Sequence, residues 1–385
     1  MKILHICLGN YFSDGYTYQD NMLPKYHVLQ GHEVMVLAPR LSFNKEGKWE
    51  MLPVEDYVTN EGFRLLRIDY KSQSMFDIVL RRHKGFARFV DEYNPNIIFV
   101  HNLHFMDVLY LPKYKKKHPE VKIYVDNHVD WINSMNNWVS RYLQHGLLFK
   151  YYANKLVPVV EKFYGVLPVR CKFLNEVYGI PKEKIEYLPL GVDDDKLKII
   201  DRERNRSSVR KELGIEDSDF VIVSGGKINK LKNFHLLLKA ISENKHSQLK
   251  LILFGSIADN FKNEFDRYLG DKRIKFVGWQ QADAITRFIL ASDLAVMPGT
   301  HSVIWEEIVG CGIPALFKHY DGLCHVDVGG NCRFLYEDSH LEINSILNEL
   351  LDNPDVYDKM KLIASTEGIK RFSYSEISKQ SIKTI

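Results

Sequence analysis

The sequence predicts an α/β protein with two doubly wound parallel-sheet domains in tandem. Three observations lead to this fold class. The chain has 385 residues, and a single hydrophobic core stops growing at roughly 250–300 residues. Short apolar runs alternate with helical patterns, which is typical of strand–helix–strand units around a parallel sheet. The alternation starts afresh at Phe220, after a charged stretch over residues 196–212.

The first half opens with the strand-like run KILHICL, followed by the glycine-bearing loop GNYFSDGYTY. A helical pattern, YQDNMLPKYHVLQ, then ends at Gly31, and HEVMVLAP is predicted to be the second strand. Three further runs predict buried strands: NIIFVHN, KIYVDNH and FYGVLP. We expect residues 1–195 to form the first domain.

The second half contains five more strand-like runs: FVIVSGG, LKLILFGS, IKFVGW, LAVMPG and IPALFK. Helical patterns separate them, for example over residues 233–244 and 258–269. We expect the second domain at residues 196–370. Residues 371–385 are expected to form a C-terminal helix, which could pack back on the first domain.

Composition and charge exclude several classes of protein. Lys and Arg total 52 against 49 Asp and Glu, a formal charge of +3, so we expect no nucleic acid as the main partner. No apolar run approaches the roughly 18–20 residues that span a bilayer. The N-terminal MKILHICLGN lacks the apolar length of a secretory signal. Five cysteines without a C-x-x-C pair favour a reduced, cytoplasmic protein without a disulfide framework or structural zinc.

The segment SGGKINKLKN follows a predicted strand and opens a helix. Gly225 and Gly226 allow backbone N–H groups to approach an anion. Lys227 and Lys232 supply two ammonium groups that could neutralise a diphosphate. The alternative is an ordinary turn with solvated lysines.

The segment MPGTHSVIWEEIVGCGIP places Glu306 and Glu307 on a short helix with an apolar face. Thr300 or Ser302 is expected to cap this helix. Glutamates so close to a core rarely remain unpaired. One use is to accept two hydrogen bonds from a vicinal diol such as a ribose; the alternative is a salt bridge to a lysine.

The segment VDNHVDW follows another predicted strand and alternates Asp126, His128 and Asp130 with other residues. A histidine at a strand end can act as a general base or donate a hydrogen bond to a sugar. The Asp-x-His-x-Asp run also suggests a metal site, but its spacing matches no specific metal signature. His101 and His104 lie at a further strand end, where at least one is expected to be a core or capping residue.

Taken in order, these segments resemble the retaining glycosyltransferases of family 4, which have the two-domain GT-B fold. The similar segments are the Gly9–Gly15 loop, GHEV, PLGVDDDKL, the G-[RK]-x4-K loop, FVGW and ASDLAVMPG…EEIVGCGIP. The resemblance covers most of the chain. It implies two Rossmann-like domains that face a central cleft.

The resemblance also implies roles for individual residues. Lys227 and Lys232 would hold the donor diphosphate, Glu307 would bind the donor ribose, and His128 would lie near the reacting sugar. The catalytic residues would be His128, Lys227 and Lys232. The donor-binding residues would be the same two lysines together with Gly226, Gly278, Trp279, His301, Ser302, Val303 and Glu307. The acceptor side would include Gly9, Gly15 and His101. No metal and no cofactor are expected.

One position departs from the family pattern. The family usually has a second glutamate, eight residues before the ribose-binding one, that contacts the donor sugar. Here that position is Gly299. Either His301 makes the sugar contact instead, or the donor sugar differs.

The expected activity is transfer of a sugar from a nucleotide-diphosphate sugar to a glycan or lipid-linked glycan, in bacterial cell-surface polysaccharide biosynthesis. The alternatives are a non-catalytic partner that binds a nucleotide sugar and a sugar-nucleotide epimerase of the same fold. The basic amphipathic pattern Met75–Val90 and the lysines of LPKYKKKHP suggest contact with an anionic membrane at its cytoplasmic face. The alternative is an ordinary helix with a solvated face.

Overall fold

The computed structural model describes residues 1–43 and 48–383. Contacts between residues divide the chain into two units. Unit 1 is Met1–Leu190 together with Tyr374–Ile385, and unit 2 is Gly191–Ser373. The expected boundary at residue 195 lies shortly after the observed one. The last two residues of the expected C-terminal helix, 384 and 385, lie outside the described residues.

Unit 1 is built around a large sheet whose strands are mostly buried on both faces. Eight strands pair in the order β10-β9-β8-β7-β1-β2-β6-β5, and all pairs are parallel except β5 with β6. β3 and β4 form a separate antiparallel pair. The strands are β1 Lys2–Ile6, β2 Glu33–Pro39, β3 Leu41–Phe43, β4 Trp49–Met51, β5 Asp56–Val58, β6 Arg64–Ile68, β7 Ile97–His101, β8 Lys122–Asn127, β9 Lys162–Gly165 and β10 Ile185–Tyr187.

The helices of unit 1 are α1 Gln19–Leu29, α2 Met75–Val79, α3 Phe86–Tyr93, α4 Leu111–Lys117, α5 Lys150–Leu156 and α6 Pro168–Glu176. A π-helical segment, Val139–Phe149, leads into α5. The prediction of one amphipathic helix over Met75–Val90 is wrong. The backbone breaks between α2 and α3, because Arg81 and Gly85 adopt left-handed φ angles of 51° and 76°.

Unit 2 contains a six-stranded sheet in the order β13-β12-β11-β14-β15-β16, with every pair parallel. Its strands are β11 Phe220–Ile228, β12 Leu249–Ile257, β13 Ile274–Gly278, β14 Leu294–Met297, β15 Ala315–Lys318 and β16 Cys332–Leu335. The two parallel sheets confirm the predicted α/β class. Six of the described strands were not predicted: β3, β4, β5, β6, β10 and β16. β3, β4, β5 and β10 have only three residues each, and the short runs RLLRI and CRFL of β6 and β16 include arginine.

The helices of unit 2 are α7 Asp194–Ile199, α8 Arg202–Leu213, α9 Phe234–Glu243, α10 Lys262–Phe265, α11 Ala282–Leu290, α12 Ile304–Gly310, α13 His340–Asp352, α14 Pro354–Ile363 and α15 Ile369–Arg371. The single helix predicted over residues 258–269 is wrong. The short α10 lies there between two 3₁₀ turns, Asp259–Phe261 and Asp266–Tyr268.

The chain ends with α16, Tyr374–Ser381, which packs against α1 in unit 1. The rings of Tyr26 and Tyr374 stack with their centroids 6.3 Å apart. Tyr124 on β8 donates a 2.7 Å hydrogen bond to the carbonyl of Lys383. The C-terminal helix is therefore part of the core of unit 1.

Each sheet has a point where the strand order reverses. In unit 1 it lies between β1 and β7, and in unit 2 between β11 and β14. Ligands of open α/β sheets bind outside the carboxyl ends of the strands at such points. We therefore expect a ligand site among the loops that follow these four strands.

Candidate functional site

The glycines at the end of β11 are required by close packing. A Cβ at Gly225 would lie 2.4 Å from the ring of Phe254, and a Cβ at Gly255 would lie 1.8 Å from the carbonyl oxygen of Gly226. Gly226 itself has a φ of 120°, which strongly favours glycine. β11 continues through this stretch, so the exposed side chain of Lys227 projects from the last part of a strand and not from a loop.

Lys232 joins the loop after β11 to the loop after β14. The Asn229 side chain accepts a 2.9 Å hydrogen bond from the Lys232 backbone N–H. The Lys232 ammonium donates to the carbonyls of Thr300 and His301, at 2.6 and 3.2 Å. Burial lowers the pKa of Lys232. An ammonium has three N–H donors, so one remains for a ligand when two bond to these carbonyls.

A cavity of about 390 Å³ opens beside Lys227. Its wall is mainly apolar and contains the indole of Trp279, which is 65% exposed. The preceding Gly278 has a left-handed φ of 72° at the end of β13. A flat apolar ring with a charged tail would suit this cavity, with the tail toward Lys227. The cavity is lined by Gly226, Lys227, Phe254, Gly255, Ser256, Ile257, Ala258, Trp279, Gln280, Ile285 and Ile304.

Glu307 lies on α12, the helix that contributes Ile304 to the wall of this cavity. It is one turn after Ile304 on α12, and residues three apart share a helix face. Its Oε1 accepts a 2.8 Å hydrogen bond from the Thr286 hydroxyl, next to the cavity-lining Ile285 on α11. Burial raises the pKa of Glu307, against the opposing effects of Thr286 and Lys196. The carboxylate is thus fixed at one oxygen.

Glu306, for which the sequence suggested no role, is the centre of a buried cluster. Its Oε1 lies 2.9 Å from His301 Nε2 and 2.7 Å from His325 Nε2. Burial alone would raise the pKa of Glu306, but the two histidines outweigh it and lower the pKa to about 2. Sequence spacing gave no sign of this cluster, because His325 lies in a different loop, after β15.

The loop before α12 holds three of the expected donor-binding residues, His301, Ser302 and Val303. The predicted caps Thr300 and Ser302 are wrong, because α12 has Val303 at its N-cap position and no side-chain cap. The carbonyl of Ser302 instead accepts a 2.9 Å hydrogen bond from the Trp305 backbone N–H. The His301 ring meets the buried Trp305 ring edge-on, 5.0 Å between centroids. His301, Ser302 and Val303 therefore lie together at the carboxyl end of β14.

Close packing explains why position 299 is a glycine. A Cβ at this position would lie 2.3 Å from both the Cα and the carbonyl carbon of Lys232. Main-chain atoms cannot move aside as the end of a flexible side chain can. A side chain at position 299 would overlap this backbone, which explains the glycine in this packing.

In unit 1, the carboxyl ends of β7 and β8 bring His101, Asp126 and His128 together. Asp126 Oδ2 lies 2.7 Å from His101 Nδ1 and 3.3 Å from His128 Nε2, and its Oδ1 accepts the Asn102 backbone N–H at 3.0 Å. A Cβ at Gly9 would lie 2.5 Å from the Asn102 carbonyl oxygen. The loop after β1 therefore comes closest to the loop after β7 at Gly9.

Other candidates of unit 1 do not join this cluster. Asp130 accepts the backbone N–H groups of Ile132 and Asn133 and pairs with Arg170. The Asp-x-His-x-Asp run is therefore not a ligand set. His104 bonds the Tyr178 hydroxyl at 2.8 Å in the core. Gly15 has a left-handed φ of 73° and open space around it.

Two groups in the described residues have ligand atoms of the kind that bind metals. They are His101, Asp126 and His128 in unit 1, and His301, Glu306 and His325 in unit 2, with ligand atoms within 4.8 Å of one another in each group. In both, one carboxylate oxygen already accepts two imidazoles. The unit 2 candidates Gly226, Lys227, Lys232, His301 and Glu307 all surround the loops after β11 and β14.

Comparison with protein families matches two profiles. The profile described as Glycosyltransferase Family 4 matches residues 23–196, and the one described as Glycosyl transferases group 1 matches residues 205–366. Together they span most of the chain.

Two curated relatives match parts of the chain. A D-inositol 3-phosphate glycosyltransferase of Pseudarthrobacter chlorophenolicus is 23% identical over 174 residues, which is 42% of this chain and 40% of the relative. An alpha-galactosylglucosyldiacylglycerol synthase of Streptococcus pneumoniae is 24% identical over 208 residues, 51% of this chain and 53% of the relative. The chain therefore matches about half or less of their length.

Solved structures match the whole fold. HepE of Anabaena in complex with UDP has a TM-score of 0.67 at 14% identity and covers 99% of this chain and 98% of its own. The catalytic domain of Arabidopsis thaliana starch synthase IV bound to ADP and acarbose has a TM-score of 0.63 at 13% identity, covering 98% and 99%. UDP-GlcNAc 2-epimerase of Neisseria meningitidis bound to UDP-GlcNAc has a TM-score of 0.60 at 15% identity, covering 99% and 98%. The solved structures show that the chain has the GT-B fold, and the two profiles show that it belongs to the family 4 glycosyltransferases.

Proposed function

We propose that the protein is a retaining glycosyltransferase that uses a nucleotide-diphosphate sugar as donor. The observation that carries this proposal is the cavity of unit 2, which combines a mainly apolar wall and Lys227 with the carboxylate of Glu307, bonded to Thr286 next to the lining residue Ile285. These three features suit the base, the ribose and the diphosphate of one ligand. The similar structures of HepE and starch synthase IV contain bound UDP, UDP-glucose or ADP, which supports a nucleotide ligand here.

Each part of the donor has a proposed partner. The base lies against Trp279 and the apolar wall. Glu307 accepts hydrogen bonds from the two ribose hydroxyls, since Thr286 fixes only one of its oxygens. Lys227 and the remaining N–H of Lys232 bind the diphosphate, and the backbone at His301, Ser302 and Val303 faces its distal phosphate.

Negative charge develops on the nucleoside diphosphate as it leaves, and the reaction requires that this charge be stabilised. Preorganised cations stabilise charge that develops in the transition state. We propose that Lys227 and Lys232 are these cations and that no metal or cofactor takes part. The anomeric carbon becomes oxocarbenium-like as its bond to the phosphate breaks. Retention follows if the acceptor hydroxyl attacks from the face that the phosphate leaves. His128 in unit 1 is the imidazole proposed to contact the reacting sugar.

The acceptor is proposed to be a glycan or a lipid-linked glycan bound by unit 1, at the cytoplasmic face of a membrane in a bacterial surface-polysaccharide pathway. One curated relative is named for a glycosylated diacylglycerol, which supports a lipid-bearing acceptor. Within residues 1–43 and 48–383, no helix combines the length and apolar character needed to cross a membrane. Contact with lipid would therefore be through a surface.

We propose that the lipid contact lies in a part of unit 1 other than the Met75–Val90 segment. Cations of the Met75–Val90 segment are paired, Arg82 with Asp77 and Arg88 with Glu92. The stretch from Trp131 to Val160 contains no Asp or Glu, and it carries the exposed cations Arg141, Lys150 and Lys155. We define its exposed apolar side chains as the apolar surface: Ile132, Trp138, Val139, Tyr142, Leu143, Leu147 and Tyr151. Aromatic and basic residues together suit an anionic bilayer.

The experiment that tests the function is a donor panel with two readouts. Purified protein is mixed with UDP-, ADP-, GDP- and TDP-sugars, and both the shift in melting temperature and the release of nucleotide diphosphate are measured. A bound donor whose hydrolysis or transfer releases the diphosphate supports the proposal. Binding without release, even with added glycan or lipid acceptors, would favour a non-catalytic partner. Conversion of the sugar on its nucleotide without an acceptor would favour an epimerase.

A further inference from the structure

Aromatic side chains gather on the loop after β1 and on the β3–β4 pair of unit 1. The rings of Phe43 and Trp49 stack with their centroids 3.8 Å apart. Tyr11 meets both rings edge-on, 4.7 Å from Phe43 and 5.1 Å from Trp49. Tyr18 meets Tyr11 edge-on at 6.3 Å and stacks with Tyr16 at 5.3 Å. We define these five residues as the aromatic platform.

Part of the aromatic platform faces solvent. Trp49 is 58% exposed and Tyr18 is 42% exposed, whereas Tyr11 and Phe43 are partly buried. The Trp49 indole therefore remains more than half open although it already stacks on Phe43. Contiguous exposed apolar side chains mark interaction sites, whereas isolated ones are normal on a protein surface.

Hydrogen bonds hold the loop after β1 against β3. The Phe43 backbone N–H donates to the Ser13 hydroxyl at 2.9 Å. The buried Arg67 guanidinium donates to the carbonyls of Phe12 and Pro39, at 3.2 and 3.0 Å. The rings are thus held in place before any ligand arrives, which reduces the entropy that binding would cost.

A carboxylate lies next to the rings. Asp14 directly follows Ser13, the residue that binds the Phe43 N–H. Its Oδ2 accepts hydrogen bonds from Arg67 at 3.0 Å and from the Tyr57 hydroxyl at 2.6 Å. In residues 1–43 and 48–383 both hydrogen bonds to this side chain end on Oδ2, and the side chain is 45% exposed. Oδ1 can therefore accept hydrogen bonds from hydroxyl groups of a ligand.

Asp20 connects the aromatic platform to the cluster of His101, Asp126 and His128. It is the second residue of α1 and interacts electrostatically with Tyr11. It also interacts with all three members of the cluster. The platform therefore lies close to that cluster, at the carboxyl end of β1, where the strand order of unit 1 reverses.

The chemistry of these side chains favours a sugar over other ligands. A pyranose has an apolar C–H face and a rim of hydroxyl groups, so it can lie on an aromatic ring and donate to a carboxylate at once. A phosphate-bearing ligand is disfavoured by Asp14, because the Arg67 cation beside it is buried and already bonded to two carbonyls.

We propose that the aromatic platform and Asp14 form a glycan-binding subsite, in which Trp49 stacks on a sugar ring and Asp14 accepts hydrogen bonds from its hydroxyl groups. A glycan held there would extend toward His128. The use of this subsite for the acceptor rests on the proposed function, whereas glycan binding itself does not.

The test is ¹⁹F NMR of the full chain labelled with 5-fluorotryptophan, in which each of the five tryptophans gives a signal. The probes are short oligosaccharides of hexoses, 6-deoxyhexoses and N-acetylhexosamines, added without a donor. We expect at least one of them to move the Trp49 signal and to leave the Trp138 signal unchanged.

Three results would overturn the proposal. One is that no oligosaccharide moves the Trp49 signal. Another is that oligosaccharides move the Trp138 signal instead, which would place the glycan on the apolar surface. The third is that only vesicles of anionic phospholipid move the Trp49 signal, which would make the aromatic platform a membrane contact.

The same spectra test the proposed function separately. A nucleoside diphosphate should move the Trp279 signal, because Trp279 lines the cavity of unit 2. If no nucleotide moves it, the donor site is in error, and the response of Trp49 to glycans still decides the present proposal.

Two variants of Trp49 separate ring stacking from general apolar contact, with glycan affinity measured by ligand-observed NMR. Trp49→Tyr keeps a flat ring and should retain most of the affinity. Trp49→Leu keeps an apolar side chain without a ring and should bind roughly tenfold more weakly. Tyr336→Leu is the control, because Tyr336 is a 67% exposed tyrosine of unit 2, and it should bind glycan normally. Equal affinities of the two Trp49 variants would contradict stacking.

A further variant tests the carboxylate. Asp14→Asn replaces one acceptor oxygen with an amide and should weaken glycan binding, while the response of Trp279 to nucleotide stays unchanged. If Trp49→Leu does not fold, Asp14→Asn decides the proposal. Unchanged glycan affinity of Asp14→Asn would then contradict it.

Discussion

Gly299 lies directly against the backbone of Lys232, so closely that a Cβ would be 2.3 Å from the lysine Cα. The Lys232 ammonium also donates hydrogen bonds to the carbonyls of Thr300 and His301. The loops after β11 and β14 are therefore held together by backbone packing at one end and by a cation at the other. These contacts lie at the point where the strand order of unit 2 reverses.

The first prediction is that Gly299→Ala destabilises the protein. Forcing extra atoms into a packed region costs typically about 1–3 kcal/mol, and backbone neighbours place this change at the upper end. Denaturant unfolding of the variant should show a lower free energy of unfolding. Gly270→Ala is the matched control, because a Cβ there meets nothing within 4 Å. Equal stability of the two variants would show that the loops do not pack this closely.

The second prediction is that Lys232→Ala lowers the rate of donor turnover by roughly 10²-fold or more, as loss of a transition-state donor does in other enzymes. The variant loses both a diphosphate cation and the link to Thr300 and His301. Steady-state kinetics with the donor found in the panel measures the effect. Lys230→Ala removes an exposed lysine of the same turn, paired only loosely with Glu264 at 3.5 Å, and should change little. An unchanged rate for Lys232→Ala would reject its proposed role.

The sequence predicted the sheets well because strands such as HEVMVLAP and LKLILFGS are continuously apolar, as buried parallel strands are. Helix breaks were harder to predict. The left-handed Arg81 that separates α2 from α3 is set by tertiary packing, and arginine itself does not signal that conformation.

The site was predicted in part, for a similar reason. Lys232, His301 and Glu307 lie near strand ends that local pattern identifies. The partners Thr286 and His325 could not be found, because each comes from a different segment and meets its glutamate only after folding. The pattern showed that Gly299 stands where the family usually has a glutamate, but a one-dimensional pattern cannot show that the backbone of Lys232 lies against this position.

The third prediction is that Glu307→Ala weakens donor binding by roughly a hundredfold. Two hydrogen bonds from ribose to a carboxylate are worth about 1.5 kcal/mol each at least, and each 1.4 kcal/mol is tenfold in Kd. Titration calorimetry with the nucleoside diphosphate measures the change. Glu203→Ala removes an exposed carboxylate on α8 and serves as the charge-matched control. Near-normal affinity of Glu307→Ala would show that another group binds the ribose.

The fourth prediction concerns acid stability and Glu306. Its folded-state pKa is lowered to about 2 from 4.5, because His301 and His325 outweigh burial. A depressed carboxyl pKa contributes stability above the unfolded-state value, and this contribution is lost as pH falls toward the folded value. The contribution is on the order of 3 kcal/mol. It should disappear between about pH 4.5 and 2.

Glu306→Gln tests this directly. The variant should be less stable than the unmodified protein at pH 6, and the gap in unfolding free energy should narrow as pH falls through that window. Glu203→Gln is the control and should show a constant, small difference. A gap for Glu306→Gln that does not change with pH would mean that the carboxylate is not held ionised by the two histidines.

The last prediction is that the apolar surface of unit 1 binds anionic vesicles. Trp138 is 64% and Leu147 65% exposed, and burying a large apolar side chain is worth roughly 1.5–3 kcal/mol. Replacing both with serine should therefore weaken vesicle binding at least tenfold in a flotation assay with anionic phospholipid. The control double variant, Ile199→Ser with Leu362→Ser, changes side chains of unit 2 that are 84% and 64% exposed. If binding survives loss of Trp138 and Leu147 but falls with the control pair, the lipid contact lies elsewhere. Added salt should weaken only the electrostatic contribution of Arg141, Lys150 and Lys155 to vesicle binding. Vesicle binding that persists at high salt would therefore distinguish the apolar surface from a purely basic patch.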